Sequence, residues 1–121
     1  MVSYFWDTYA IVEFIEGNEN YAKFKDEPVS ITIFNLAEIY WFALNEYNED
    51  EASKIFERFK LCAVYVDEET LKSAIQFRKK HNNKDMSYTD CIGYSFALKH
   101  NLKFLTGDKE FRNMENVEFV K

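Results

Sequence analysis

Apolar residues along the chain switch repeatedly between a short continuous run and a helical spacing, and that alternation predicts the fold. Val2–Trp6 is a short apolar run that reads as a buried strand, stopped by Asp7-Thr8. Ala10, Ile11, Phe14 and Ile15 then recur at helical spacing until Gly17-Asn18 breaks the pattern. Tyr21–Asp26 predicts a short polar helix or turn, closed by Pro28, and Val29–Phe34 is rich in β-branched residues and predicts a second strand. A helix is predicted from Asn35 to Tyr47, with Leu36, Ile39, Tyr40 and Ala43 on one face. Another is predicted over Ala52–Phe59, after the acidic Asn48–Glu51. Leu61–Val66 predicts a third strand. Glu68–Lys80 predicts a helix turning Leu71, Ala74, Ile75 and Phe77 inward, and Ser87–His100 one turning Ile92, Phe96 and Leu98 inward. Lys103–Leu105 predicts a strand ending at Thr106-Gly107-Asp108, and Val117–Val120 a last edge strand.

Strands alternating with helices imply β-α-β crossovers and a parallel sheet covered on both faces. The expectation is one domain over residues 1–121, an α/β/α sandwich with a mainly parallel sheet of four or five strands. No internal repeat or linker interrupts it.

Charge and cysteine usage narrow the function. The net charge is -6, the wrong sign for nucleic-acid binding through a broad basic face. A polyanionic substrate therefore requires that the negative charge gather where metal ions offset it. Cys62 and Cys91 form no C-x-x-C pair, which indicates neither a zinc site nor a disulfide framework. Nothing resembles a signal peptide or a membrane span, so a cytoplasmic location is expected. Aromatic residues reach 18 %, more than a small core hides, and some of Phe14, Tyr21, Phe24, Trp41 and Phe42 are candidates for a partner surface. For Phe14 and Tyr40, core packing is the simpler reading.

Four acids fall at equivalent places in this pattern. Asp7 ends the first strand, Asp108 follows the Lys103–Leu105 strand, and Glu38 and Asp90 lie in the predicted first turns of helices. Ligands of open α/β sheets bind outside the carboxyl ends of the strands, so all four are expected at one edge. Each has a structural alternative. Asn35-x-x-Glu38 and Ser87-x-x-Asp90 have capping-box spacing, and Asp7 and Asp108 suit N-caps or turns. Four together weigh differently, because carboxylates ~4 Å apart repel by ~1 kcal/mol in water and ~4 kcal/mol at an effective dielectric near 20. Such a cluster needs cations or shared protons. Hard divalent ions such as Mg²⁺ favour oxygen donors of this kind. His81 and His100 stand outside these motifs and read as surface residues at helix ends.

Asp7-Thr8 after an apolar strand, Asn35-x-x-Glu38, Ser87-x-x-Asp90 opening an Ala- and Gly-containing helix, and Thr106-Gly107-Asp108 with Phe111 beyond resemble the PIN-domain nucleases over nearly the whole chain. In size the chain is most similar to their VapC-type toxin members. The resemblance implies an endoribonuclease using Mg²⁺ or Mn²⁺, with Asp7, Glu38 and Asp90 as the main catalytic metal ligands and Asp108 completing the site directly or through water. It gives supporting hydrogen bonds to Thr8, Asn35 and Thr106, and implies an RNA substrate, a homodimer and a cognate antitoxin. Phe5 and Trp6 are bulkier than the aliphatics common before the family's first Asp.

Positive charge survives locally at Arg78, Lys79, Lys80 and Lys84, which could steer phosphates towards the acidic edge or simply complement a helix C-terminus. Lys109 beside Asp108 reads as solvated. An aspartyl-phosphate phosphatase would require a second Asp where Tyr9 stands, and a receiver domain an acidic pair at Asp7, although Asp67 does follow the third strand. The stronger alternative is a non-catalytic RNA- or protein-binding module on the same fold.

Overall fold

In the computed structural model, which describes residues 1–121, Asp7, Asn18, Thr32, Asn48, Asp67, Ser87 and Asp108 each accept a backbone N–H at the start of a helix or 3-10 turn. Polar residues with short side chains thus set where every helical element begins. The resulting order is β1 (Tyr4–Trp6), α1 (Thr8–Ile15), a 3-10 turn at Glu19–Phe24, α2 (Ile33–Glu46), α3 (Glu49–Lys60), α4 (Glu68–Lys80), α5 (Tyr88–Lys99), β2 (Lys103–Thr106), a 3-10 turn at Lys109–Phe111, and β3 (Val117–Phe119).

The sheet runs β1-β2-β3 with both pairings parallel. It has three regular strands rather than four or five. The segments expected as strands at Val29–Phe34 and Leu61–Val66 each contribute one parallel bridge, Ser30 beside Phe5 and Ala63 beside Ile31. Capping explains the shortfall. The Thr32 hydroxyl accepts the Asn35 N–H, so Ile33 and Phe34 become the first helical turn of α2 despite their β-branched and aromatic character. Likewise Leu61 still closes α3, which leaves only the residues around Ala63 extended. The acidic Asn48–Glu51 segment is the cap and first turn of α3, where negative charge suits the helix dipole.

Side-chain alternation along β1 and β2 divides the core in two. Trp6 and Leu105 point to one face, packing with Ile11 of α1, Leu36 and Ile39 of α2 and Phe59 of α3. Phe5 and Phe104 point to the other, against Cys91, Ile92, Tyr94 and Phe96 of α5 and Ala74 of α4. The bulky pair before Asp7 is thereby accommodated, one ring per layer and each almost wholly buried. Side chains this size contribute about 1.5–3 kcal/mol apiece when fully buried. Leu71, Ile75 and Leu98, expected inward, are 39 %, 42 % and 44 % exposed, since α4 meets α5 through Thr70 and Ala74. Tyr21 and Phe24 are core residues, Phe14 packs edge-on against Trp6, and Tyr40 against Phe56. Trp41 is 70 % exposed. Both cysteines are free, with Cys91 buried and Cys62 half-buried. His81 and His100 close α4 and α5, His81 tilted against Phe77 and His100 stacked on Phe96. No helix is long and apolar enough to cross a membrane.

Every residue of α5 from Cys91 to Ala97 is buried. Its close approach to the sheet depends on Gly93, where a Cβ would stand 2.6 Å from the Phe5 ring and 3.2 Å from Phe104. Gly93→Ala would gain about 1 kcal/mol of helix propensity, but overpacking two buried rings costs about 1–3 kcal/mol. The expected result is net destabilisation of up to about 2 kcal/mol in urea titration, the difference of those two estimates. A variant as stable as the native chain would show that the rings can yield.

Candidate metal centre

The carboxyl ends of β1 and β2 and the N-terminus of α5 converge on three carboxylates. Asp7 leaves β1 directly, and its Oδ1 accepts the Thr8 N–H at 2.9 Å as the cap of α1. Its Oδ2 accepts the Thr106 hydroxyl at 2.7 Å. That hydroxyl, fully buried at the end of β2, also accepts the Asp108 N–H at 3.0 Å. One threonine therefore fixes two acids. Asp108 accepts the Glu110 N–H at 3.0 Å, which turns the chain after Gly107. Asp90 comes from the other side as third residue of α5. Its Oδ2 accepts the Ser87 N–H at 2.9 Å while the Ser87 hydroxyl accepts the Asp90 N–H at 3.0 Å, a reciprocal capping box. One oxygen from each of Asp7, Asp90 and Asp108 lies within 4.8 Å of the others.

Glu38 stands outside this group of three. It lies in the second turn of α2, not the first, and the capping box there is Thr32 with Asn35 instead of Asn35 with Glu38. Asn35 accepts the Thr32 N–H and hydroxyl, and its Nδ2 donates to the Thr8 hydroxyl at 3.0 Å. The Thr8 hydroxyl in turn donates to Glu38 Oε1 at 2.6 Å. Buried Asn35 thus orients Thr8, and Thr8 orients Glu38. Glu38 is near enough to Asp90 for its charge to oppose ionisation there.

Burial dominates the electrostatics. Asp7 is 2 % exposed. Desolvation lifts its carboxyl well above the usual range, helped by the charges of Asp90 and Asp108 and resisted by the Thr106 and Thr8 hydrogen bonds. Asp90 is raised too, by burial first and then by Asp108 and Glu38, against the Ser87 cap. No lysine or arginine offsets these charges. The ion pairs of the chain are Lys54–Glu51, Lys60–Glu57 and Lys99 with Asp67 and Glu69. A group of like charges, one buried and two half-buried, with all-oxygen donors and no basic counter-charge fits a hard divalent cation, because the ion supplies the missing charge. Asp7, Asp90 and Asp108 offer ligand atoms directly, and Glu38 keeps Oε2 free of hydrogen bonds at the rim.

The basic residues are placed separately. Arg78 Nε donates to the Met86 carbonyl at 3.0 Å, and Lys84 Nζ to the Glu110 carbonyl at 3.2 Å. Lys79, Lys80 and Lys109 are exposed. Glu110, which sequence reasoning passed over, joins the two regions. Its backbone is held by Asp108 and its Oε1 accepts the Asp85 N–H at 2.7 Å. The only signal for it was an N–H two residues after an Asp, the spacing of an Asx turn.

A pH dependence follows. For a carboxyl whose folded pKa lies above its unfolded one, stability is fully present below the unfolded pKa and is lost as pH rises through the folded pKa. Metal-free protein is therefore expected to melt at a higher temperature near pH 5 than near pH 7. Asp67 acts oppositely, since its bonds to Lys99 and Thr70 hold its carboxyl low, so its contribution is lost only at pH below the ordinary carboxylate range. Saturating Mg²⁺ should flatten the profile, and a metal-free melt that falls steadily from pH 7 to about pH 5 would contradict the raised Asp7.

The PIN domain family model matches residues 4–117. No curated protein matches the chain by sequence. Among solved structures, Mycobacterium tuberculosis VapC20, described as a sarcin-ricin loop cleaving toxin, superposes with TM-score 0.80 at 16 % identity, covering 98 % of this chain and 100 % of that one. A toxin–antitoxin complex from Klebsiella pneumoniae gives 0.77 at 14 % identity over 96 % of each chain. VapBC2 from Rickettsia felis, bound to a DNA fragment of its promoter, gives 0.72 at 17 % identity over 98 % and 97 %. At these identities the likeness is one of fold. The family match spans β1 to the start of β3 and contains all four acids, and the chain belongs to the PIN-domain family.

Proposed function

We propose that this chain is a Mg²⁺- or Mn²⁺-dependent endoribonuclease and the toxin of a VapBC-type toxin–antitoxin pair. The observation carrying this reading is the triad of buried Asp7 with half-buried Asp90 and Asp108, whose oxygens lie within 4.8 Å without a basic partner. A bound divalent ion supplies positive charge against the phosphate and makes water a better nucleophile near neutral pH. The protein's part is to hold oxygen donors in place. Asp7 is locked by Thr8 and Thr106, Asp108 by the turn at Glu110, and Asp90 by Ser87 through Oδ2, which leaves Oδ1 for the ion. Glu38, aimed by Thr8, completes the donor set or takes the proton of the attacking water.

An antitoxin partner is supported by the toxin–antitoxin complexes among the structural neighbours. The exposed apolar Ile33, Trp41, Leu61 and Tyr65 give surface for it or for a second copy of the chain.

The direct test is cleavage of total cellular RNA by the purified chain, followed by mapping of the cut ends. Discrete cuts are expected with Mg²⁺ or Mn²⁺ and none with a chelator. If neither metal supports cutting, the chain is a binding module on the nuclease fold.

A further inference from the structure

Beside the acidic centre lies a pocket of about 310 Å³ lined by Ile75, Arg78, Lys79, Asn82, Lys84 and Tyr88. We propose that it binds one unpaired nucleotide of the RNA strand, the base stacked on Tyr88 and the phosphate held by Lys79 and Lys84. This rests on the ribonuclease reading above and adds to it where the strand is gripped.

Three observations carry the assignment. The first is charge. Three cations and no acid line the pocket of a protein with net charge -6, and none of the three has a carboxylate partner. Cations left together without counter-charge suit an anionic ligand. The second is the stack. The Arg78 guanidinium sits 4.2 Å from the Tyr88 ring centroid and is anchored by its bond to the Met86 carbonyl. One side of the ring is thus braced by a fixed cation, yet Tyr88 remains 59 % exposed. A braced aromatic ring with open surface is a platform for a base. A base inside a duplex has both faces covered, so the platform selects an unpaired nucleotide.

Position is the third. Tyr88 opens α5 and Asp90 is two residues on, so the platform and a metal-ligating acid share one helix N-terminus. Lys84 Nζ donates to the carbonyl of Glu110, whose N–H is held by Asp108. The pocket is therefore tied to the acidic centre through the start of α5 and through Glu110, which places its nucleotide next along the strand from the metal-binding edge. Arg78 acts as a positioning residue through Tyr88.

The test is fluorescence anisotropy with a single-stranded RNA of about ten nucleotides in the presence of a chelator, where no cutting is expected, alongside steady-state cleavage with Mg²⁺. Tyr88→Ala is expected to weaken binding about 10-fold and Tyr88→Phe by less than about 2-fold, because stacking needs the ring and not the hydroxyl. Lys79→Ala, at an exposed side chain, is expected to lower the slope of log K against log salt by about 0.7. In cleavage, these changes should appear in KM with kcat held. Native binding by both Tyr88→Ala and Lys79→Ala, in a chain that still cuts RNA, would overturn the pocket and leave the nuclease standing. Binding that needs Tyr88 and Lys79 without any cutting would support the pocket and sink the nuclease. Inorganic polyphosphate is a further probe: if it competes as well as RNA and Tyr88→Ala changes neither, the pocket is a phosphate site alone and the nucleotide assignment fails.

Discussion

Asp7→Asn is expected to lower RNA cleavage by at least about 100-fold while making the metal-free protein more stable. Two arguments lead to this pairing. Asn is nearly as good an N-cap as Asp, so the bond from the Thr8 N–H survives the change and α1 keeps its start. What goes is the negative charge, which burial, Asp90 and Asp108 all oppose. Removing a charge that burial and two neighbouring carboxylates all disfavour is expected to raise the melting temperature of the metal-free protein at neutral pH. Part is returned at Thr106. Its proton now goes to Asp7 Oδ2, and an amide presenting Nδ2 there would leave that proton without an acceptor. The change still favours the metal-free fold, because one neutral hydrogen bond is worth about 1 kcal/mol whereas three clustered carboxylates repel in pairs. Calorimetric Mg²⁺ titration should show weakened binding in the same variant. A merely structural Asp7 predicts the reverse, with cleavage and metal binding intact and little change in melting.

That contrast also shows how far the site was legible in the sequence. Asp7, Asp90 and Asp108 could be placed because strand ends and helix starts are strongly signalled, and those positions must meet at one sheet edge. Ser87 with Asp90 kept its capping box in the folded chain, so cap and candidate ligand coexist through different oxygens. Glu38 was harder. Its expected box with Asn35 assumed that the helix began at Asn35, and Thr32 moved that start one turn earlier. The relay from Asn35 through Thr8 to Glu38 spans 30 residues and depends on how α1 packs against α2, which no local spacing encodes. The Arg78–Tyr88 stack was hidden for the same reason, since its members belong to different helices.

The fold was legible where the periodic signal was long and illegible where it was short. α2 to α5 appear within a few residues of their predicted spans because each carries a run of helical spacing and a side-chain cap. Strands here are three or four residues long. A β-branched run such as Val29–Phe34 therefore divides between a bridge and a helical turn, and tertiary hydrogen bonds decide where. Ile31 lies between the Cys62 carbonyl and the Val64 N–H and stays extended, whereas Ile33 is released to α2.

Gly107→Ala should unfold the site from the opposite direction, with stability and activity falling together. Gly107 links Thr106 to Asp108 and is buried where β2 leaves the sheet. A Cβ at this position would overlap the Tyr9 ring and the Val120 carbonyl oxygen. The ring belongs to a half-buried side chain and can shift. The carbonyl is fixed, because Val120 N–H donates to the Thr106 carbonyl at 2.9 Å and the Val120 carbonyl accepts the buried Tyr21 hydroxyl at 2.5 Å. Relieving the overlap means breaking one of these bonds or moving the segment that carries Asp108. Overpacking costs about 1–3 kcal/mol and a buried polar group left unpaired about 1–3 more, so a loss of about 3 kcal/mol is expected, with the melting temperature down by about 10 °C. Whichever residue moves, Thr106 is displaced and the bond that aligns Asp7 goes with it. Cleavage should fall at least about 10-fold at temperatures where the variant is still folded, as for loss of an outer-shell partner of a metal ligand. Gly17→Ala is the control on the same kind of substitution. Gly17 has a φ of +80° with nothing within 4 Å of its Cβ position, so local strain of about 1 kcal/mol is expected there with cleavage unchanged. If Gly107→Ala melted and cut like Gly17→Ala, the packing of β2 against the end of β3 would not be what holds Asp108 in place.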